Sequence, residues 1–187
     1  MGNKISYGLK NLYYAKVTNT GGTITYGTPV ALPGAKEMSL EPSGEPTTIW
    51  ADDVQYVVIP SAGGYEGSVT VLDVPESFYT DILGMHKDTN DVLYESDNDT
   101  LAQFALLGET IEYDSVNGPT KKRFVFYNCT AEKAPTTAST KEEEVEAQEF
   151  EISITAAAAI DTGYVKASCT ENETPFTNWL TTVYVPS

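Results

Sequence analysis

Phe150-Glu151-Ile152-Ser153-Ile154-Thr155 alternates apolar and polar side chains without a break. That period of two belongs to a β-strand with one face buried and the other in water. Arg123-Phe124-Val125-Phe126-Tyr127-Asn128-Cys129 carries apolar side chains on both faces, Phe124 and Phe126 on one, Val125, Tyr127 and Cys129 on the other. Such a strand is either central in a sheet or covered by a partner. Tyr164 to Thr170 repeats the one-sided pattern with Val165, Ala167 and Cys169 inward. With Thr, Tyr and Val abundant in short runs broken by Gly and Pro, these segments predict a mainly β fold, a sandwich or barrel.

Outward from these strands, Lys4 to Thr18 reads as extended chain, Asn19-Thr20-Gly21-Gly22 as a turn, and Thr23 to Leu32 as a return strand. Pro29 suits an edge or a strand end, because it has no N–H to give a ladder. Asp73, Pro75 and Glu76 offer a helix start after the strand Ser68 to Val74, Phe78 and Ile82 share one helical face, and Gly84 provides the stop. This predicts one short helix flanking the sheet. A second short helix is expected near the C-terminus, with Thr174 as N-cap, Pro175 at the first position, and Phe176, Trp179 and Leu180 inward. Asn117-Gly118 marks a tight turn, and Ala134 to Glu144 is too polar to add core.

Glu41-Pro42-Ser43-Gly44-Glu45-Pro46-Thr47-Thr48 is polar and doubly proline-marked, between the β-like runs Ala35 to Leu40 and Ile49 to Ile59. A long hairpin projecting over about residues 40–50 is expected from this pattern. It ends in Ile49-Trp50, a large apolar pair that needs cover. A neighbouring subunit would supply it, which makes Glu41, Pro42, Ser43, Gly44, Glu45, Pro46, Ile49 and Trp50 the candidate inter-subunit contacts.

The 187 residues suffice for a single domain spanning 1–187, with a core that requires no disulfide or metal staple. Asp and Glu number 27 against 11 Lys and Arg, a net charge of −16, which opposes tight binding of nucleic acid or an anionic membrane. No apolar run reaches signal-peptide or membrane-spanning character, and Met1-Gly2 with Ser6 is a weak lipidation start lacking a polybasic partner. Cys129 and Cys169 fit no metal spacing and are expected to be reduced and buried.

Nothing in the sequence encodes a reaction, and no catalytic residue, metal ligand or cofactor is expected. His86 is the only histidine and lies in a polar stretch, read as a solvated turn. Asp97-Asn98-Asp99 lacks the glycine and terminal glutamate of a calcium loop and reads as an exposed acidic turn. Asp52 and Asp53 beside Trp50 suggest a glycosidase pair, but adjacent strand residues point to opposite faces. The alternative to a structural role is a non-catalytic carbohydrate-binding or adhesion module built on exposed Tyr and Trp of a β-sandwich.

Ordered blocks along nearly the whole chain resemble the major tail proteins of siphophages infecting Gram-positive hosts. They begin with the run from Ser6-Tyr7-Gly8-Leu9 to Ala15 and continue through Tyr26-Gly27-Thr28-Pro29-Val30 to Ala35, Trp50-Ala51-Asp52-Asp53 and Gly64-Tyr65-Glu66-Gly67. Tyr127-Asn128-Cys129-Thr130-Ala131, Ser139-Thr140-Lys141-Glu142-Glu143 and the region around Trp179 follow. The resemblance implies a β-sandwich or barrel with a flanking helix, six-membered rings of subunits joined edge to edge, and rings stacked into a tube around the tape measure protein. Its implied partners are further copies of the chain, the tape measure, the tail terminator and the distal tail or baseplate proteins, with DNA passing through the lumen unbound and no membrane. The acidic surplus then suggests a lumen that repels phosphate, the plainer account being solubility.

Overall fold

A computed structural model describes residues 4–44, 46–51, 53–59, 63–133 and 148–186. Its spine is an antiparallel pair, β10 (Phe104–Asp114) and β11 (Gly118–Ala131), in register from Asp114 opposite Gly118 to Leu106 opposite Phe126 and shifted by one residue at Phe104 opposite Cys129. The Asp114 carboxylate closes the predicted turn by accepting from the Val116 N–H at 2.7 Å, and Gly118 takes the left-handed conformation at φ 81°. On the free edge of β10 runs β1 (Lys4–Thr20), which carries β2 (Thr23–Tyr26) and β3 (Val30–Leu32) on its far side. The free edge of β11 is shared by β12 (Phe150–Ala157) and β13 (Lys166–Thr170); β7 (Tyr65–Val71) pairs with β12, and β4 (Ala35–Pro42) pairs with β7. The sheet rolls until β4 touches β1 at the other end of the strand order. Two small sheets stand apart, β5–β6 (Thr47–Ala51, Val54–Ile59) and β8–β9 (His86–Lys87, Leu93–Tyr94).

The two faces of the spine are buried by different elements. On the concave face Leu12, Tyr14, Phe104, Leu106, Phe124 and Phe126 meet Val69, Val71, Ile152 and Ile154 from the other side of the roll. Helix α1 (Glu76–Asp81) closes this core with Phe78 and Ile82, as its spacing predicts, and Gly84 ends it at φ 74°. Phe78 sits edge-on between Tyr14 and Phe104, at 5.0 and 5.7 Å between ring centres. On the convex face Ala15, Ala105, Leu107, Val125 and Tyr127 lie under the C-terminal segment, whose Trp179 is 1% exposed. The Tyr127 hydroxyl ties that segment down by donating to the Tyr184 carbonyl at 2.8 Å. The two-faced strand is therefore central, covered by its own chain.

Two expectations need correction. Cys129 does not share a face with Val125 and Tyr127. Phe126 pairs with Leu106 but Cys129 pairs with Phe104, so β11 spends three steps where β10 spends two, and this bulge turns Cys129 onto the Phe126 side. The predicted C-terminal helix is a 3-10 turn over Thr174–Asn178, and the residue before it is Glu173, with Thr174 inside. Its bonds span three residues, Phe176 N–H to the Glu173 carbonyl at 3.1 Å and Trp179 N–H to that of Phe176 at 3.3 Å. So short a segment, with Pro175 and two threonines, does not propagate an α-helix.

Candidate assembly surfaces

The polar run expected to project is divided between the body and the arm: Glu41 and Pro42 belong to the main sheet, and Thr47 and Thr48 open β5. Glu41 and Pro42 lie in β4, opposite Glu66 and Tyr65 of β7. The projecting element is β5–β6, displaced toward the C-terminus, with Ile49 paired to Val57 and the turn near Asp53, which adopts φ 61°. Polarity marked the stem and apolar strands formed the arm, because two β-favouring runs separated by Asp52-Asp53 pair with each other locally. Ser43, Gly44 and Pro46 form one side of the stem; Glu45 and Asp52 lie outside the described residues. The Ser43 N–H donates to the Gly64 carbonyl at 2.9 Å, and a β-carbon on Gly63 would stand 1.3 Å from the Ser43 oxygen, so the two chains of the stem come closer than side chains allow.

Past this stem Trp50 is 67% exposed and Tyr56 70%, with Ile49, Val54, Val57 and Val58 also exposed. Residues paired across strands share a face, and successive residues alternate. Ile49 and Val57 thus mark one face of the hairpin and Val58 the other. An isolated two-stranded hairpin is marginal in water, and one apolar on both faces calls for cover from outside its own fold.

A second surface lies on the outer side of β4, β7 and β12. Its side chains form rows across the strands: Glu37, Thr70 and Glu151; Ser39, Ser68 and Ser153; Glu41, Glu66 and Thr155. Every one is Glu, Ser or Thr. The alternate positions Met38, Val69, Ile152 and Ile154 face the core. Glu41 stands directly opposite Glu66, an arrangement that costs stability within a sheet.

The model of one protein family, described as phage tail tube protein, matches residues 2–179 of the chain. The chain belongs to the phage tail tube protein family. It is by that membership a structural component of the phage tail, which assembles with further copies of itself into a tube and resides in the virion. No curated protein gives a match to it.

The remaining polar groups of this tail tube protein organise its own fold. Glu109, 2% exposed, accepts from Arg123 Nε at 2.8 Å and faces Lys10 Nζ at 3.4 Å. Burial opposes its charge, but Arg123 and then Lys10 outweigh that and hold its carboxyl below the usual range. Arg123 also donates to the Phe176 carbonyl and stacks 3.9 Å above the Phe176 ring, which joins spine and C-terminal cover. No local motif signals this pair, since Glu109 and Arg123 meet only through the β10–β11 register.

His86 is not a merely solvated residue. Its Nε2 lies 3.2 Å from Asp99 Oδ1, and its ring stacks on Tyr94. The Asp99 side chain is fully buried and accepts from the Ser96 N–H at 2.9 Å, which corrects the reading of an exposed acidic turn at that residue. Cys129 and Cys169 are free and buried, in separate clusters. Burial pushes their thiols up to about 12 and about 11.

Proposed function

We propose that this chain is the major tail protein of a siphophage, that six copies join edge to edge into a ring, and that rings stack into the tube that encloses the tape measure and conducts DNA during ejection. The observation that carries this reading is the β5–β6 hairpin, exposed and apolar on both faces. A protein that works alone has no use for such an element, whereas a repeating assembly covers it once per subunit. Ile49 and Trp50 are its inter-subunit contacts; Ser43, Gly44 and Pro46 set its stem, and Glu41 and Pro42 anchor it to the sheet. Tail terminator and distal tail proteins would meet the two ends of the tube, where copies of the chain are missing.

The Glu, Ser and Thr face of β4, β7 and β12 is assigned to the lumen. Repeated around a ring, Glu37, Glu41, Glu66 and Glu151 make a continuous acidic wall, and hydroxyls between them offer DNA no cation to hold. The Glu41–Glu66 opposition supports a demand for charge that sheet stability alone would remove. Negative-stain microscopy of the purified chain tests the reading. Rings or tubes with a central channel are expected, and a protein that stays monomeric at high concentration would refute it.

A further inference from the structure

Strands β1, β10 and β11 run on beyond the C-terminal cover as a three-stranded extension. There Ile5 pairs with Tyr113 and Tyr7 with Ile111, on the same side of β10 as Leu107. Leu107 is buried under the Trp179 cluster, but on the extension Ile5 is 62%, Tyr7 51% and Tyr113 43% exposed. The extension's charges are mixed: Lys4, Lys121 and Lys122 occur on it with Glu112 and Asp114, and Lys122 Nζ lies 3.5 Å from the Glu112 carboxylate. Lys121 is exposed and pairs across the ladder with Ile111, beside the apolar face.

The β5–β6 hairpin has the complementary character. Its exposed side chains are mostly apolar, and its turn carries the acidic Asp53. Its exposed side chains offer on the order of 500–700 Å², near the roughly 800 Å² that each partner of a stable interface buries. Strand directions set where the two elements lie. β4 pairs antiparallel with β7, β7 with β12 and β12 with β11, so β4 runs antiparallel to β11. Pro42, Tyr65, Ala156 and Cys129 share one level of the sheet, so the hairpin that follows β4 leaves the sheet beside that level and points toward the end where β11 begins and the extension projects. Copies standing side by side in one orientation bring the hairpin of one level with the extension of the next.

We propose that the Ile5, Tyr7 and Tyr113 face is the seat for the β5–β6 hairpin of the adjacent copy within a ring, with the Asp53 carboxylate toward Lys121. The inference rests on the tail tube reading and adds to it the receiving surface. Its test is a Tyr7→Cys, Tyr56→Cys double variant, assembled, mildly oxidised and run on a denaturing non-reducing gel. Cys129 and Cys169 are buried and stay out of the reaction. The expected result is a ladder of cross-linked multimers that neither single variant gives. Intact tubes without a ladder overturn this seat and leave the tail tube reading standing; no rings or tubes from the parent chain overturn both. As a second measurement, Ile5→Asp should raise the concentration needed for assembly at least about tenfold with the monomer's melting unchanged. Ile160→Asp, at a residue 67% exposed elsewhere, should leave it unaltered, and equal behaviour of the two variants overturns the proposal.

Discussion

The two tryptophans of this chain separate folding from assembly. Trp50 is 67% exposed on the hairpin and Trp179 is 1% exposed in the convex core. An aromatic side chain has roughly 150–250 Å² to bury, so Trp50 leaves about 100–170 Å² for a neighbour. At ~25 cal/mol per Å² its cover contributes about 2.5–4 kcal/mol to each joint. Trp50→Ala should therefore raise the concentration for half-assembly about 50- to 1000-fold, at 1.4 kcal/mol per factor of ten. The isolated monomer should lose far less, since among the described residues none of the hairpin belongs to either core cluster. Trp179→Ala reverses the pattern, costing about 3–5 kcal/mol of monomer stability through the cavity it leaves. Sedimentation velocity across a dilution series reads assembly, and thermal unfolding of the dilute monomer reads the fold. Trp50→Ala assembling at the parental concentration, or lowering monomer stability as much as Trp179→Ala, would refute the reasoning.

Joining Gly44 directly to Gly63 removes the hairpin at its stem and should give a folded monomer unable to form tubes, as measured by circular dichroism and microscopy; normal tubes would show the hairpin to be dispensable. Glu109→Ala should cost about 3 kcal/mol in urea unfolding, because it strands the Arg123 charge against the C-terminal cover. The Glu109 carboxyl is held below its ordinary value of 4.5, so its contribution is fully present above that pH and is lost as pH falls through the lowered value. Glu109→Gln should flatten the stability profile in that acid window, and a profile identical to the parent's would contradict this. Cys129 and Cys169, with thiols raised to about 12 and about 11, should resist alkylation at pH 8 until the chain is unfolded. Glu37→Lys and Glu66→Lys should leave tails intact but slow genome ejection at low salt, an effect that added salt weakens; equal ejection rates would favour solubility as the role of the charge.

Local patterns in the sequence determined several of the strands and helix α1. The strict alternation at Phe150 to Thr155, the two apolar faces of Arg123 to Cys129, the Asn117-Gly118 turn and the Phe78–Ile82 face each depend on neighbours a few residues apart. The acidic surplus was equally plain, being a sum over residues that needs no coordinates. What tertiary structure decided lies in pairings between distant segments. The β11 bulge that moves Cys129 is visible only against β10, and the Glu109–Arg123 pair exists only in that register. The C-terminal segment covers the convex face that the sequence alone could equally have left to a subunit. Even the hairpin depended on partner choice: Ala35 to Pro42 has strand character either way, and it pairs with β7 because Met38 and Leu40 then pack against the core. That choice left Thr47 to Ile59 to pair with itself and project, since a period of two fixes which residues share a face but not which strand they lie beside.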